Sequence, residues 1–418
     1  SDDDTLVGGA GNDTLIGGLN GTIGSLASSS IGDTADYSGN TTSTGIVVDM
    51  GATQTIGTLS TYAVSNDGLG GKDYLSGIEN IIGSKNDDNI KGDSNANYIF
   101  GGAGAGLIQG SGGNDNLEGG AGADTFKISS IADGNDTIDG DTSTIYDDTE
   151  IDTVDYSGIT DSTYHLEADL TAGKVYVKDN ATTPNTLITT TVRNIENITG
   201  TAGNDVFVGD SFANVFDGQG GSDTVSFANN GSSVSVTIDL KNDTATSTST
   251  GLDTLTSIEN AIGGAGNDKI IVSTDTEANI LDGGAGLGDT VSYEYYTTAI
   301  TRDLSNTTTA QGDDILKGFE NIIGGSGNDS FKGNSSNNTF DGGVSGTDTV
   351  DYSDNSSAVV VHMDTTTKTA TSGTDTDTFI SIEKIIGSSH DDTFYSNLTA
   401  NNTFIGGSQD VSGADVLD

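Results

Sequence analysis

The sequence predicts an all-β fold: a parallel β-roll, or β-solenoid, of repeated modules with extra strands or hairpins in each module. Three observations predict it. Two short anchors recur along the chain in the same alternating order, and glycine-rich units of nine residues lie between them. Only 32% of the 418 residues are hydrophobic, and they fall in short alternating stretches, not in helical stripes.

The first anchor reads Ile78-Glu79-Asn80, Ile195-Glu196-Asn197, Ile258-Glu259-Asn260, Phe319-Glu320-Asn321 and Ile382-Glu383-Lys384. Its last three steps are nearly equal, whereas the first is almost twice as long and contains one extended module. The second anchor, Asp-Thr-Val/Ala-x-aromatic, runs Asp33 to Tyr37, Asp152 to Tyr156, Asp223 to Phe227, Asp289 to Tyr293 and Asp348 to Tyr352. These anchors divide the chain into modules 1–82 (partial), 83–199 (extended), 200–262, 263–323, 324–386 and 387–418 (truncated).

The nine-residue units follow Gly-Gly-x-Gly-x-Asp-x-apolar-x. Gly8 to Ile16 fits throughout, as do Gly119 to Phe126 and Gly324 to Phe331, and five units run end to end from Gly83, Gly92, Gly101, Gly110 and Gly119. The glycines permit a tight left-handed turn that aims successive carbonyls at one point. The aspartate adds a carboxylate, and the apolar residue two places on points inward from a short strand. Calcium takes six to eight oxygens at about 2.3–2.6 Å, more than one loop supplies, so stacked loops must share each ion.

In these units the chain resembles the RTX family, the haemolysin-type calcium-binding nonapeptide repeats of bacterial secreted proteins. The resemblance runs through most of the chain in its repeated modules. It implies a β-roll with Ca2+ between turns. It further implies export through a type I secretion channel in an unfolded, calcium-poor state, and folding outside the cell on calcium. The calcium roles carry over to Asp13, Asp33, Asp73, Asp88, Asp115, Asp124, Asp205, Asp223, Asp253, Asp268, Asp289, Asp314, Asp329, Asp348, Asp377, Asp392 and Asp415. Asp4 also falls in the N-terminal part of the pattern.

The register suggests how these residues are arranged. Asp73/Asp88, Asp253/Asp268, Asp314/Asp329 and Asp377/Asp392 are each fifteen residues apart, and the third unit adds Asp223, Asp289, Asp348 and Asp415. The middle unit carries Asn97, Asn214, Asn279, Asn338 or Asn402 instead. Since alternate turns of a roll fall on opposite edges, we expect a calcium-binding aspartate edge (Asp253, Asp268, Asp289) and an opposite ladder of amides (Asn260, Asn279). Gly106 and Thr190 interrupt the aspartates, and Asp115 lies on the asparagine edge facing Asn97 without an aspartate partner. The anchor glutamates are expected to be structural, because a solenoid corner must recur just as regularly.

Each module also has a part outside the nonapeptides. Val234, Val236, Ile238 and Leu240 alternate with polar residues as in a half-buried strand. Ile46 to Met50, Tyr164 to Leu170, Ile300 to Leu304 and Val359 to Met363 do the same. These stretches predict strands or hairpins extending the side of the solenoid. Pro184 lies in one such insert, and the stretch from Asn20 through Ser30 reads as a polar loop.

Charge narrows the partners. Fourteen Lys and Arg stand against 62 Asp and Glu, a formal charge of −48. Nucleic acid and anionic membrane surfaces both require a basic face. With no cysteine there is neither disulfide nor thiolate chemistry. Such acidity works against compaction until a cation neutralises it, so folding should be coupled to metal. No apolar run is long enough to span a bilayer and no N-terminal export signal is visible; the chain reads as part of a longer polypeptide. Protease, nucleophile-elbow and phosphate-loop motifs are absent, and His165, His362 and His390 stand apart from one another, so no enzymatic activity is expected. Three function classes remain. They are a calcium-binding extracellular structural protein of a bacterial surface layer or filament, self-associating into that lattice; the stalk of a calcium-dependent adhesin; and the RTX tail of a secreted enzyme. The first fits best, because repeats fill the chain.

Overall fold

The computed structural model describes residues 3–18, 32–56, 59–141, 150–181, 183, 185–247, 251–275, 278–309, 314–396, 401–407 and 416–417. Pro184, the stretch from residue 19 to 31 and Asp415 lie outside the described residues. The chain divides into two compact units, Ser1–Asp223 and Thr224–Asp418. Among the described residues all regular structure is β.

In the first unit the long run displays the elementary step. Strands Asn80–Ile82, Asn89–Lys91, Tyr98–Ala103, Leu107–Gln109, Asn116–Ala121 and Thr125–Lys127 begin at nine-residue intervals. Each pairs in parallel with the next but one. Asn89 faces Leu107 and Leu107 faces Thr125 on one wall; Asn80 faces Tyr98 and Tyr98 faces Asn116 on the other. Such short strands suffice because each sends its middle side chain inward. Ile81, Ile90, Ile99, Ile108, Leu117 and Phe126 are fully buried. One buried apolar side chain per half-coil contributes about 2 kcal/mol, which is how a chain so poor in hydrophobic residues still has a continuous core.

The inserts are three-stranded antiparallel elements. In the first unit they are Val47–Ile56, Leu59–Asn66 and Tyr74–Ser76, then Tyr164–Asp169, Lys174–Asp179 and Thr186–Arg193. The second unit has Val236–Asp239, Thr244–Ser247 and Gly251–Thr256, then Val360–His362, Lys368–Ser372 and Asp375–Ile380. They do not extend the side of the solenoid, as the alternation suggested, but lie within its wall. Val360 in the first strand faces Thr393 of the following coil, and Thr378 in the last strand faces Thr339 of the preceding one. Strands Thr301–Asp303 and Ile315–Lys317 take the same two places in their module. A hairpin hung on the outside would expose its own unpaired edges, whereas one set into the wall has both neighbours supplied.

The Ile-Glu-Asn anchor ends the insert. The residue before it is left-handed in all five copies: Gly77, Asn194, Ser257, Gly318 and Ser381 have φ between 48° and 65°. That kink turns Ile78, Ile195, Phe319 and Ile382 into the core and starts the next half-coil.

The modules 200–262, 263–323 and 324–386 thus each contain five half-coils, namely three nonapeptides, one insert and one anchor, and the extended module contains nine. Both counts are odd, so each module begins on the wall opposite to its predecessor. In the second unit Asp268 and Asp289 precede strands of one wall. In the following module that wall receives Asn338 and Asp377, while Asp329 and Asp348 precede strands of another sheet. The expected separation into an aspartate edge and an asparagine edge holds among the nonapeptides of a module and reverses in the next, while the aspartate before the anchor, Asp314 or Asp377, shares the wall of its module's asparagine.

Candidate functional site

At each turn, the side chain just before a strand reaches back to the main chain of the coil below. The Oδ1 atoms of Asp33, Asp73, Asp88, Asp115 and Asp124 accept N–H bonds from Asp4, Asp13, Ile46, Asn97 and Gly106, at 2.6–2.9 Å. Asp205 and Asp223 take those of Leu166 and Asp205. Asp268, Asp289, Asp329, Asp348, Asp377 and Asp392 take those of Val236, Asp268, Ile300, Asp329, Asn338 and Val359. Thirteen of the predicted positions are therefore rungs of vertical ladders. Apart from half-buried Asp13, all of the predicted positions that are described are buried.

The ladders explain the residue choices. Glu79, Glu196, Glu320 and Glu383 are rungs too: their Oε2 atoms accept the N–H of Asp33, Asp152, Asp289 and Asp348. The Glu carbonyl then needs a donor above it, and the middle nonapeptide supplies one. The Nδ2 groups of Asn97, Asn214 and Asn338 donate to the carbonyls of Glu79, Glu196 and Glu320 at 2.9–3.0 Å. A carboxylate cannot donate, which is why asparagine occupies this place.

Three chemical settings recur among the aspartates. Those of the first nonapeptide also bind their own loop: Oδ2 of Asp88, Asp205, Asp268, Asp329 and Asp392 accepts the N–H four residues earlier. Both of their oxygens are engaged by the main chain. Asp314 and Asp377 are engaged across the core instead. The Tyr293 hydroxyl donates to Asp314 at 3.0 Å and Tyr352 donates to Asp377 at 2.7 Å. Arg302, buried on the insert strand, lies 3.4 Å from Asp314 and donates through Nε to the Tyr293 oxygen. Asp253 is fully buried in its insert, facing Ala245.

In the third setting, Oδ2 of Asp13, Asp115, Asp124 and Asp136 is buried with no protein donor in reach. Burial, reinforced by nearby carboxylates, pushes Asp115, Asp124 and Asp136 up to about 7. A buried carboxylate held so far from its ordinary range, with one oxygen unfilled, calls for a proton or a cation. The motif alone does not pick out Asp136 and Asp152 as ligand candidates, although Gly134-Asn135-Asp136-Thr137-Ile138 carries its fourth to eighth places. Asp136 is the partner that Asp115 lacked in sequence: its Oδ1 accepts the Asp115 N–H at 2.9 Å. Asp152 does the same for Asp124 at 2.7 Å.

Glycine is required where the carboxylate folds over its own loop. A Cβ on Gly110 would lie 2.1 Å from Asp115 Oδ2, and one on Gly119 would lie 2.4 Å from Asp124 Oδ2. The second glycine has positive φ and rests on a carbonyl of the coil below, Gly120 above the Gly102 oxygen. The turns thus present carbonyl oxygens and carboxylates together. Among the described residues, no group of three or more His, Cys, Asp or Glu side chains converges on a point. An ion here must take main-chain oxygens as well, which suits calcium, a hard cation content with carbonyl ligands.

The glycine-aspartate turns that close this parallel β-solenoid are turns of the RTX type. The profile of the RTX calcium-binding nonapeptide repeat (4 copies) matches residues 1–20, 73–108, 106–126, 199–229 and 316–350. The chain carries copies of this calcium-binding repeat over about a third of its length, and RTX repeats imply calcium binding and a secreted protein. No curated protein matches the chain. Among solved structures, the crystal structure of extracellular lipase LipA from Serratia marcescens aligns at 15% identity with a TM-score of 0.18. The alignment covers 69% of this chain and 38% of the lipase, and so low a score supports no functional inference. Among the described residues, no helix is long and apolar enough to cross a membrane.

Proposed function

We propose that the chain is a calcium-hardened structural segment of an extracellular bacterial assembly, a surface layer or filament, exported by a type I channel. The observation that carries this reading is the continuity of the carboxylate ladders. They recur from module to module, and each rung ties one coil to the next, so ions added at the turns stiffen the array as a whole. On this reading Asp115, Asp124 and Asp136 are the foremost calcium ligands, together with carbonyl oxygens of the glycine turns. The first-nonapeptide aspartates organise their loops, and Asp314 and Asp377 belong to the core. Neutralising the ladders removes the repulsion that opposes compaction at a charge of −48.

Sedimentation velocity in millimolar calcium, repeated after chelation, tests the assembly. Large species that dissolve on chelation are expected. A rod-like monomer in calcium would instead favour the adhesin stalk or the enzyme tail.

A further inference from the structure

In the loop that returns the first insert to the wall, Asp67-Gly68-Leu69-Gly70-Gly71-Lys72-Asp73, the nonapeptide pattern begins only at Gly68 and has Leu69 in place of its second glycine; Asp67 precedes it, and residues 67–72 lie outside the matched RTX stretches. The loop nevertheless stacks on the first nonapeptide loop. The Lys72 N–H donates to Asn12 Oδ1 at 2.9 Å, and the Asp13 N–H donates to Asp73 Oδ1 at 2.9 Å. The approach is so close that a Cβ on Gly71 would lie 1.7 Å from the Gly11 carbonyl oxygen.

Asp67 is fully buried in this contact. Its Oδ1 is fixed by the N–H groups of Leu69 at 2.7 Å and Gly71 at 2.8 Å. Asn40 holds its carbonyl through Nδ2. Its Oδ2 has no protein partner, and neither does Oδ2 of Asp13 on the loop beneath. The Oδ2 atom lies only 2.5 Å from the place a Gly71 Cβ would take, beside the Gly11 carbonyl. The one basic side chain of the loop does not answer this charge, since Lys72 lies over the Tyr74 ring. A carboxylate taken out of water this completely is costly unless a cation meets it.

We propose that Asp67 Oδ2 and the Gly11 carbonyl, with Asp13, hold a divalent cation of calcium's size between the insert's return loop and the first nonapeptide loop. The site rests on the reading that these turns bind calcium, and it adds a ligand that no nonapeptide supplies. All its donors are hard oxygens, two of them charged, as calcium prefers. It would fasten the first insert to the coil beneath it.

The test is native mass spectrometry of the full chain with calcium as the only added metal, comparing wild type, Asp67→Asn and Asp124→Asn. Asp67→Asn is expected to bind one ion fewer with an unchanged far-UV circular dichroism spectrum, and Asp124→Asn to lose ions while keeping the one at Asp67. Unchanged stoichiometry in Asp67→Asn alone would overturn this site and leave the calcium turns standing. If neither variant loses an ion, the calcium reading of the turns fails with it. Should Asp67→Asn not fold, anomalous diffraction from wild-type crystals grown in calcium decides: a peak in contact with Asp67 Oδ2 is expected, and its absence overturns the proposal.

Discussion

Arg302 occupies an inward position that Ile238 and Val361 fill in the neighbouring modules. It brings a fixed positive charge to Asp314 and Tyr293, so that one module carries an internal counter-ion where others have only a tyrosine hydroxyl or an apolar contact. Replacing it by methionine keeps the volume but strands a buried carboxylate. We expect Arg302→Met to cost about 3 kcal/mol in urea unfolding, with much of the loss recovered in Arg302→Met/Asp314→Asn. Equal losses in the single and double variants would show that packing, not charge, is what Arg302 contributes. The asparagine rungs make a second case. Asn338→Asp removes the donor to the Glu320 carbonyl and sets a new charge beneath Asp377, whose Oδ1 accepts the Asn338 N–H. A loss of about 1–3 kcal/mol is expected, larger at pH 8 than at pH 5. A neutral substitution would contradict the ladder.

For a single nonapeptide, the decisive feature is how little room the turn leaves. In the loop from Gly110 to Asp115, the carboxylate lies where the first glycine's side chain would be. Gly110→Ala should therefore displace Asp115 and weaken the rung to Asn97, lowering calcium affinity as well as stability. Gly9→Ala is the control for backbone conformation: Gly9 has a φ of +86° but nothing within 4 Å of where its Cβ would lie. Calorimetric titration with calcium should show reduced binding in Gly110→Ala and near-normal binding in Gly9→Ala. Comparable losses in both would assign the effect to the backbone freedom of glycine instead of the carboxylate. The inserts follow a similar logic of space, since the wall accepts three antiparallel strands only where the coils above and below offer free edges.

Over the whole chain, the dominant fact is acidity that the fold buries. Burial, helped by neighbouring carboxylates, raises Asp115, Asp124, Asp136 and Asp152 to about 7, and Asp289 and Asp348 to about 6. A carboxylate raised in the folded state favours folding while it is protonated. That contribution is complete below the ordinary carboxylate range and is lost as pH rises through 6 to 7. Without calcium the protein should therefore be more stable at pH 5 than at pH 8, and calcium should reverse the order by replacing the protons. Urea unfolding in chelator and in millimolar calcium checks this, as does proton release on adding calcium at pH 6 in weak buffer. Greater stability at pH 8 in chelator would contradict the buried-carboxylate account. Sodium chloride should substitute poorly for calcium, because it screens exposed charges far better than buried ones.

The sequence by itself determined the repeat, the parallel roll and its calcium chemistry. A glycine-aspartate turn followed by one inward apolar residue has few other ways to satisfy its main chain, and the motif spans nine contiguous residues. It also separated Asp268 and Asp289 from Asn279 correctly inside one module. Only the tertiary structure decided how modules join. The reversal of walls depends on an odd number of half-coils, and that count cannot be made until the insert is known to enter and leave on one wall. It likewise took the fold to pair Asp115 with Asp136 and to give Asp314 to Arg302 and Tyr293. It alone set Asp67 on the first nonapeptide loop. These partners lie many residues apart, and what joins them is the stacking of coils, which a local motif does not encode.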